Sequence, residues 1–194
     1  MTAAEIAPEI IPGRPSWWSR QYIEPFTWDE DEMWEVVKTR NFAAVSWVTK
    51  EQGPVTALMS YIWIPDTSAQ GGHIWITSTT NRHKFQAWKR NPQICLCIWK
   101  ADDTQQQATV RGRVEIYYGD AIRKMWISTF INRPGLPERN AEQMEREYST
   151  FDSPNRWFMK IHIDRWRTYD GHKMRRAENE GIDVWGEWDF PQGH

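Results

Sequence analysis

The densest chemistry in the sequence lies between Trp75 and Pro92. Four consecutive hydroxyl residues, Thr77, Ser78, Thr79 and Thr80, are followed by Asn81 and then by Arg82, His83 and Lys84. The hydroxyls end a run of strand character, and the cations open a helix-like stretch that stops at Asn91-Pro92, because a residue before proline is pushed out of the helical region. A helix start carries unpaired backbone N–H groups and positive partial charge, which suits a phosphate. Hydroxyls add donors there, and Arg82 and Lys84 add charge-assisted bonds. The competing reading is a capped helix with a solvated basic first turn, although cations at that end oppose the helix dipole. Both readings stay open on physics alone.

Other familiar chemistries are absent from the sequence. The five histidines, at 73, 83, 162, 172 and 194, have no metal-site spacing. No nucleophile elbow, Walker loop or dinucleotide glycine fingerprint occurs. Cys95 and Cys97 are one residue apart, on one face of a strand, too close along the chain for an easy disulfide. They read as small reduced hydrophobes. The 14 tryptophans fit core and interface packing better than a ligand-lining role.

The elements that must position the loop follow from periodicity. Residues 1–26 are proline-punctuated and aperiodic, an arm, and Thr27 with Glu30 has capping-box spacing ahead of Met33, Val36 and Val37. Phe42–Thr49 and Val55–Ile64 read as a hairpin about the Lys50–Pro54 turn, and His73–Ser78 as a third strand. A helix is expected over Asn81–Arg90. Ile94–Trp99 and Gln107–Tyr118 alternate as strands, the second with Gly112 inside it, where a glycine marks close backbone approach or a bend. Helices are expected at Asp120–Ile131 and Glu138–Tyr148, around the Arg133–Pro137 breaker, and a last strand from Trp157 towards Tyr169. Residues 177–194 form a polar, Trp-containing tail. Six mainly antiparallel strands with peripheral helices favour a closed barrel over a sandwich.

The pattern from Ile76 through Lys84, then Asn91-Pro92 and Ile94–Trp99, resembles the flavin-binding split barrels of the pyridoxamine 5′-phosphate oxidase kind. The resemblance implies a six-stranded antiparallel split barrel over residues 27–176 and a homodimer with a cofactor at its interface. It implies that Thr77, Ser78 and Thr79 supply hydroxyl and backbone donors to the cofactor phosphate, with Arg82 and Lys84 supplying charge. His83 stands where the oxidases often carry Arg, and Gln107 where they carry a flavin-contacting Gln. Arg133, in Phe130–Pro134, is similar to the position that holds substrate phosphate. FMN is the implied cofactor. The deazaflavin F-420 is the alternative, since Ser78-Thr79-Thr80 with Arg82 and Lys84 is similar to reductases that use it, with a spacing one residue shorter.

The expected function is therefore flavin-dependent hydride or electron transfer to a small organic substrate. The alternative is a non-catalytic flavin- or haem-binding barrel. The strand Val55–Ile64 lacks the basic pair of the oxidases, so oxidation of pyridoxamine phosphate itself is not expected. A formal net charge of −2 argues against nucleic acid as partner. No signal peptide and no membrane-length apolar run is visible, and a cytoplasmic location is expected.

Overall fold

The computed structural model describes residues 28, 30–51, 53–100, 103–133 and 136–181. The expected N-terminal arm, Thr27 of the first cap, and residues 182–194 of the tail lie outside the described residues, as do Pro134 and Gly135. In chain order the elements are α1 (Glu30–Thr39), β1 (Phe42–Val48), β2 (Pro54–Ser60), β3 (Ile62–Pro65), β4 (Gly72–Thr79), α2 (His83–Arg90) and β5 (Gln93–Lys100). They continue with β6 (Asp103–Tyr117), α3 (Asp120–Ile131), α4 (Ala141–Phe151), β7 (Arg156–Asp170) and α5 (Gly171–Asn179).

The strands form one antiparallel sheet in the order β2-β1-β5-β6-β7-β4-β3. Its two edge strands, β2 and β3, are consecutive in the chain with only Tyr61 between them. A sheet whose opposite edges are one residue apart must curl until those edges approach. The fold is a mainly β split barrel with peripheral helices.

Seven strands replace the expected six because Val55–Ile64 is not one strand. Ser60 still pairs with Phe42, whereas Ile62 pairs with Trp75. Tyr61 makes the corner: it is fully buried, its N–H donates to Asn41 O at 2.9 Å, and its hydroxyl donates to Val37 O at 2.8 Å. An unbroken apolar run hides such a corner, because both halves bury side chains.

The barrel interior follows the alternation read from the sequence. Val45, Ile94, Leu96, Ile98, Val110, Ile74 and Ile76 are buried within it, and α1 and α2 add Met33, Val37, Phe85 and Trp88. A second apolar cluster lies where α3 packs against β3 and β7, with Trp126, Ile127 and Phe130 on Ile62, Trp75 and Phe158. Most described tryptophans are packing residues of these clusters. Gly112 is required by backbone approach, as expected: a Cβ there would stand 1.9 Å from His162 O. The register between β6 and β7 slips at this point, with Arg111 opposite Arg165 but Gly112 opposite Ile163, so Asp164 bulges out.

The last strand, expected from Trp157 towards Tyr169, is β7, 15 residues long. It hands over to a helix with no counterpart in the sequence reading, α5, which runs across residues 176 and 177 to Asn179. Asp170 makes that junction. Its carboxylate is 2% exposed and accepts from His172 N, Lys173 N, Trp28 Nε1 and Gln106 Nε2 at 2.8–3.0 Å. Burial works against the charge, and these donors more than offset it, holding the carboxyl below its ordinary range.

Candidate functional site

Strand β4 delivers the hydroxyl run to α2, and the turn between them is pinned at both ends. Arg82 N donates to Thr79 O at 3.1 Å, and Thr80 N donates to Asn155 O at 2.9 Å, just ahead of β7. Gln86 Nε2 reaches back to Thr80 O at 2.9 Å. Arg82 is the N-cap residue with extended backbone, and its side chain makes no cap hydrogen bond. The amides of His83 and Lys84 therefore have no acceptor among the described residues. They are the unpaired N–H groups that suit a helix start to an anion.

The hydroxyls are already engaged. Thr77 donates to Trp157 O at 2.9 Å, Thr79 to Asn81 Oδ1 at 2.7 Å, and Ser78 to Thr79 O at a long 3.4 Å. Ser78 is buried, on the barrel side of β4. Thr77 and Thr79 point to the other face. The loop hydroxyls thus brace its shape, while the charge comes from cations. Arg82 and His83 are exposed. Lys84 is half-buried, with its Nζ 3.6 Å from Met59 Sδ on β2. Burial, then the charges of Arg82 and Arg156, hold the Lys84 ammonium below its ordinary value.

Arg156 is the residue that the sequence reading missed. It starts β7 directly opposite Thr79, so its side chain rises on the same face as that threonine. Its guanidinium carbon lies 4.8 Å from the Phe151 ring centroid, and its Nε is buried without a hydrogen-bond partner. Burial and then Arg82 lower its pKa. Among the described residues, no carboxylate pairs with Arg82, Lys84 or Arg156. Arg82 and Lys84 at the helix start, with two amides that lack acceptors among the described residues, fit a phosphoryl group, and Arg156 is near enough for its charge to lower the pKa of Lys84. Beside them, exposed Tyr118 stacks on Trp157 with centroids 4.5 Å apart.

Gln107 and Arg133 stand apart from this cluster. Gln107 pairs with Trp99 and with Tyr169, near the far end of β7. Thirteen residues along that strand separate Tyr169 from Arg156, a contour on the order of 40 Å at about 3.3 Å per residue. Its Oε1 accepts from the Cys97 thiol at 3.0 Å, and both cysteines are free. Arg133 folds back on α3: Nη1 donates to Phe130 O at 2.6 Å, and its guanidinium carbon sits 3.7 Å from the Phe130 ring centroid. It is linked towards Arg156 through rings, since Phe130 meets Phe151, which carries Arg156. Among the described residues, no group of three or more His, Cys, Asp or Glu could hold a metal, and no helix is long and apolar enough to cross a membrane.

Residues 29–170 match the family profile of pyridoxamine 5′-phosphate oxidase. The chain belongs to the pyridoxamine 5′-phosphate oxidase family. Nothing among curated protein sequences matches it. Among solved structures it is similar to a conserved hypothetical protein of Mycobacterium tuberculosis, at TM-score 0.62 and 16% identity, covering 78% of this chain and 90% of that one. It is similar to a Clostridium acetobutylicum protein of the pyridoxinephosphate oxidase family, related to a general stress protein, at TM-score 0.51 and 17% identity, covering 72% and 87%. A FAD-binding protein of Mesorhizobium loti aligns at TM-score 0.51 and 14% identity, covering 73% and 94%. At such identities the structures share the fold. Within the family fold, Arg82 lies in the loop between β4 and α2 and Lys84 in the first turn of α2, whereas β2 and β3 carry no Lys or Arg.

Proposed function

We propose that the chain is a flavin-dependent oxidoreductase that holds FMN non-covalently and serves hydride or electron transfer to a small organic substrate. The observation that carries this reading is that Lys84 and Arg82, at the start of α2, have no carboxylate partner and adjoin amides without an acceptor among the described residues. Lys84, Arg82 and the free amides would hold the phosphate, while Thr77 and Thr79 keep the loop in shape. The bound flavin supplies the redox chemistry, so the protein needs to bind, orient and shield it rather than to provide a strong acid or base. Deazaflavin F-420 is the second candidate for the same loop.

The reading includes a homodimer with two interface sites. Leu58, Ala44, Cys97 and Thr109 form a row across β2, β1, β5 and β6, and Leu58 is 64% exposed. Such a row of small and apolar side chains supports packing against a second copy. Gln107 lies two residues from Thr109 on the same face. In this reading Gln107 of one subunit would serve the site of the other.

The test is a redox assay of the protein loaded with FMN. Reduction of the bound flavin by a nicotinamide donor, followed by reoxidation with an added acceptor, is the expected result. Bound flavin that neither step can change would indicate a store or sensor.

A further inference from the structure

We infer that a cavity on the outer face of β1, β5, β6 and β7 is a docking site for the chain's own acidic, aromatic C-terminal segment, residues 182–194. The cavity measures about 640 Å³, and Trp47, Val48, Pro54 and Pro92 supply its apolar lining. Its polar lining follows from register. Ser46 pairs with Cys95, Cys95 with Arg111, and Arg111 with Arg165, one row across four strands. The row faces outward, because its neighbours Ile94, Leu96 and Val110 are buried in the barrel. Arg111 and Arg165 are exposed and have no carboxylate partner among the described residues. Asp164, bulged out beside them, answers Arg113 instead, with Arg113 Nε at 3.5 Å. Like charges directly opposite on adjacent strands destabilise a sheet, so this arginine pair is a cost to the fold until an anion covers it.

A simple counterion would answer the charge but not the apolar lining. An occupant both acidic and aromatic answers both, and composition decides between the two ends of the chain that lie outside the described residues. Residues 182–194 hold Asp183, Glu187 and Asp189 with Trp185, Trp188 and Phe190, and no Lys or Arg. Residues 1–26 nearly balance Glu5, Glu9 and Glu24 against Arg14 and Arg20. The acidic segment is also long enough. Arg175 of α5 donates to Gln105 Oε1 at 2.7 Å, and Gln105 stands six residues before Arg111 on β6, about 20 Å at 3.3 Å per residue. Thirteen residues span up to about 43 Å on the same measure. Docked over the row, the segment would cover the half-buried Cys95 thiol, which is free and lines the cavity. The inference goes beyond the flavin reading and holds whichever ligand the loop before α2 takes.

The experiment follows alkylation of Cys95 by iodoacetamide in the full chain, in a Cys97→Ser background that leaves one thiol. Rates are corrected for thiolate fraction from their pH profiles. Neutralising the segment with Asp183→Asn, Glu187→Gln and Asp189→Asn should speed alkylation roughly 2- to 30-fold, the worth of two exposed ion pairs. Arg111→Glu with Arg165→Glu should do the same. Combining those two changes with Asp183→Lys, Glu187→Lys and Asp189→Lys should restore slow alkylation, which a variant that merely unfolds cannot do. Added salt should speed alkylation in the background protein, because exposed pairs are screened, and should have little effect once the segment is neutralised. If neutralising the segment leaves the rate unchanged, or the charge-swapped protein stays fast, the inference falls. Protection that fades on dilution and ignores the segment's charges would give the cavity to a second copy. Protection lost on dialysis would give it to a small anion. Either result overturns the inference.

Discussion

Replacing Lys84 with Met separates a binding residue from a decorative one, because the two roles predict opposite effects on stability. Lys84 is half-buried, its nitrogen meets the Met59 sulfur, and burial together with Arg82 and Arg156 lowers its pKa from the ordinary 10.5. A lysine whose folded pKa lies below its unfolded value binds protons less readily in the native state. Cofactor-free stability must then rise with pH across the interval between those two values, and it carries a penalty below it. Lys84→Met removes that penalty, fills the same space beside Met59, and should melt at or above wild type near neutral pH, with the alkaline rise flattened. Its effect on cofactor is the reverse. One charge-assisted bond is worth about 1.5–3 kcal/mol, so FMN affinity should fall roughly 10- to 150-fold at about 1.4 kcal/mol per decade. The assay pairs fluorescence titration with thermal melts of the cofactor-free protein from neutral to alkaline pH. A variant that binds FMN as wild type does and melts lower would refute the reasoning, since Lys84 would then be a packing residue.

Gly112→Ala places a Cβ 1.9 Å from the His162 carbonyl oxygen. Because the obstacle is backbone, the cost should reach the upper part of the about 1–3 kcal/mol seen for overpacking, a fall in Tm of roughly 5–10 °C; an unchanged melt would contradict the close approach of β6 and β7. In acid the fold should weaken as carboxylates with lowered pKa are protonated. Hydrogen bonds from Ser68 and then His73 hold Asp66 well below the carboxylate range, and the donors around Asp170 hold it down against burial. Their stabilisation is complete above the ordinary carboxylate pKa of about 4 and is lost as pH falls below it. Melts that stay flat from about pH 5 to 3 would contradict this. Pyridoxamine phosphate with oxygen should yield little pyridoxal phosphate, because β2 and β3 offer no cation to a second phosphate; turnover at the roughly 10 per second typical of enzymes would overturn that reading.

Much of the candidate phosphate loop was legible because its parts are contiguous. The hydroxyl run, the cations and the Asn91-Pro92 stop are local signals, and the helix, expected from Asn81, starts at His83 and ends at Arg90 as expected. Gly112 was legible for a similar reason, as a glycine without purpose inside an alternating strand. Arg156 was not. It faces Thr79 only through the β4–β7 register, and nothing in Pro154-Asn155-Arg156 distinguishes it from an ordinary turn exit. Tyr61 was hidden within an apolar run that looks the same whether straight or cornered. Asp170 was legible only as the end of a strand, since its donors come from Trp28, Gln106 and α5. The hydroxyl partners were not legible: Thr77 donates to Trp157 O on β7, and Ser78 and Thr79 donate within the loop.

The central claim is that two copies of this chain together hold a flavin by its terminal phosphate. Native mass spectrometry of the protein equilibrated with FMN tests it in one measurement. The predicted species is a dimer carrying two FMN molecules. A monomer that retains FMN would contradict the shared interface site, and a dimer that takes up none would contradict the flavin assignment itself.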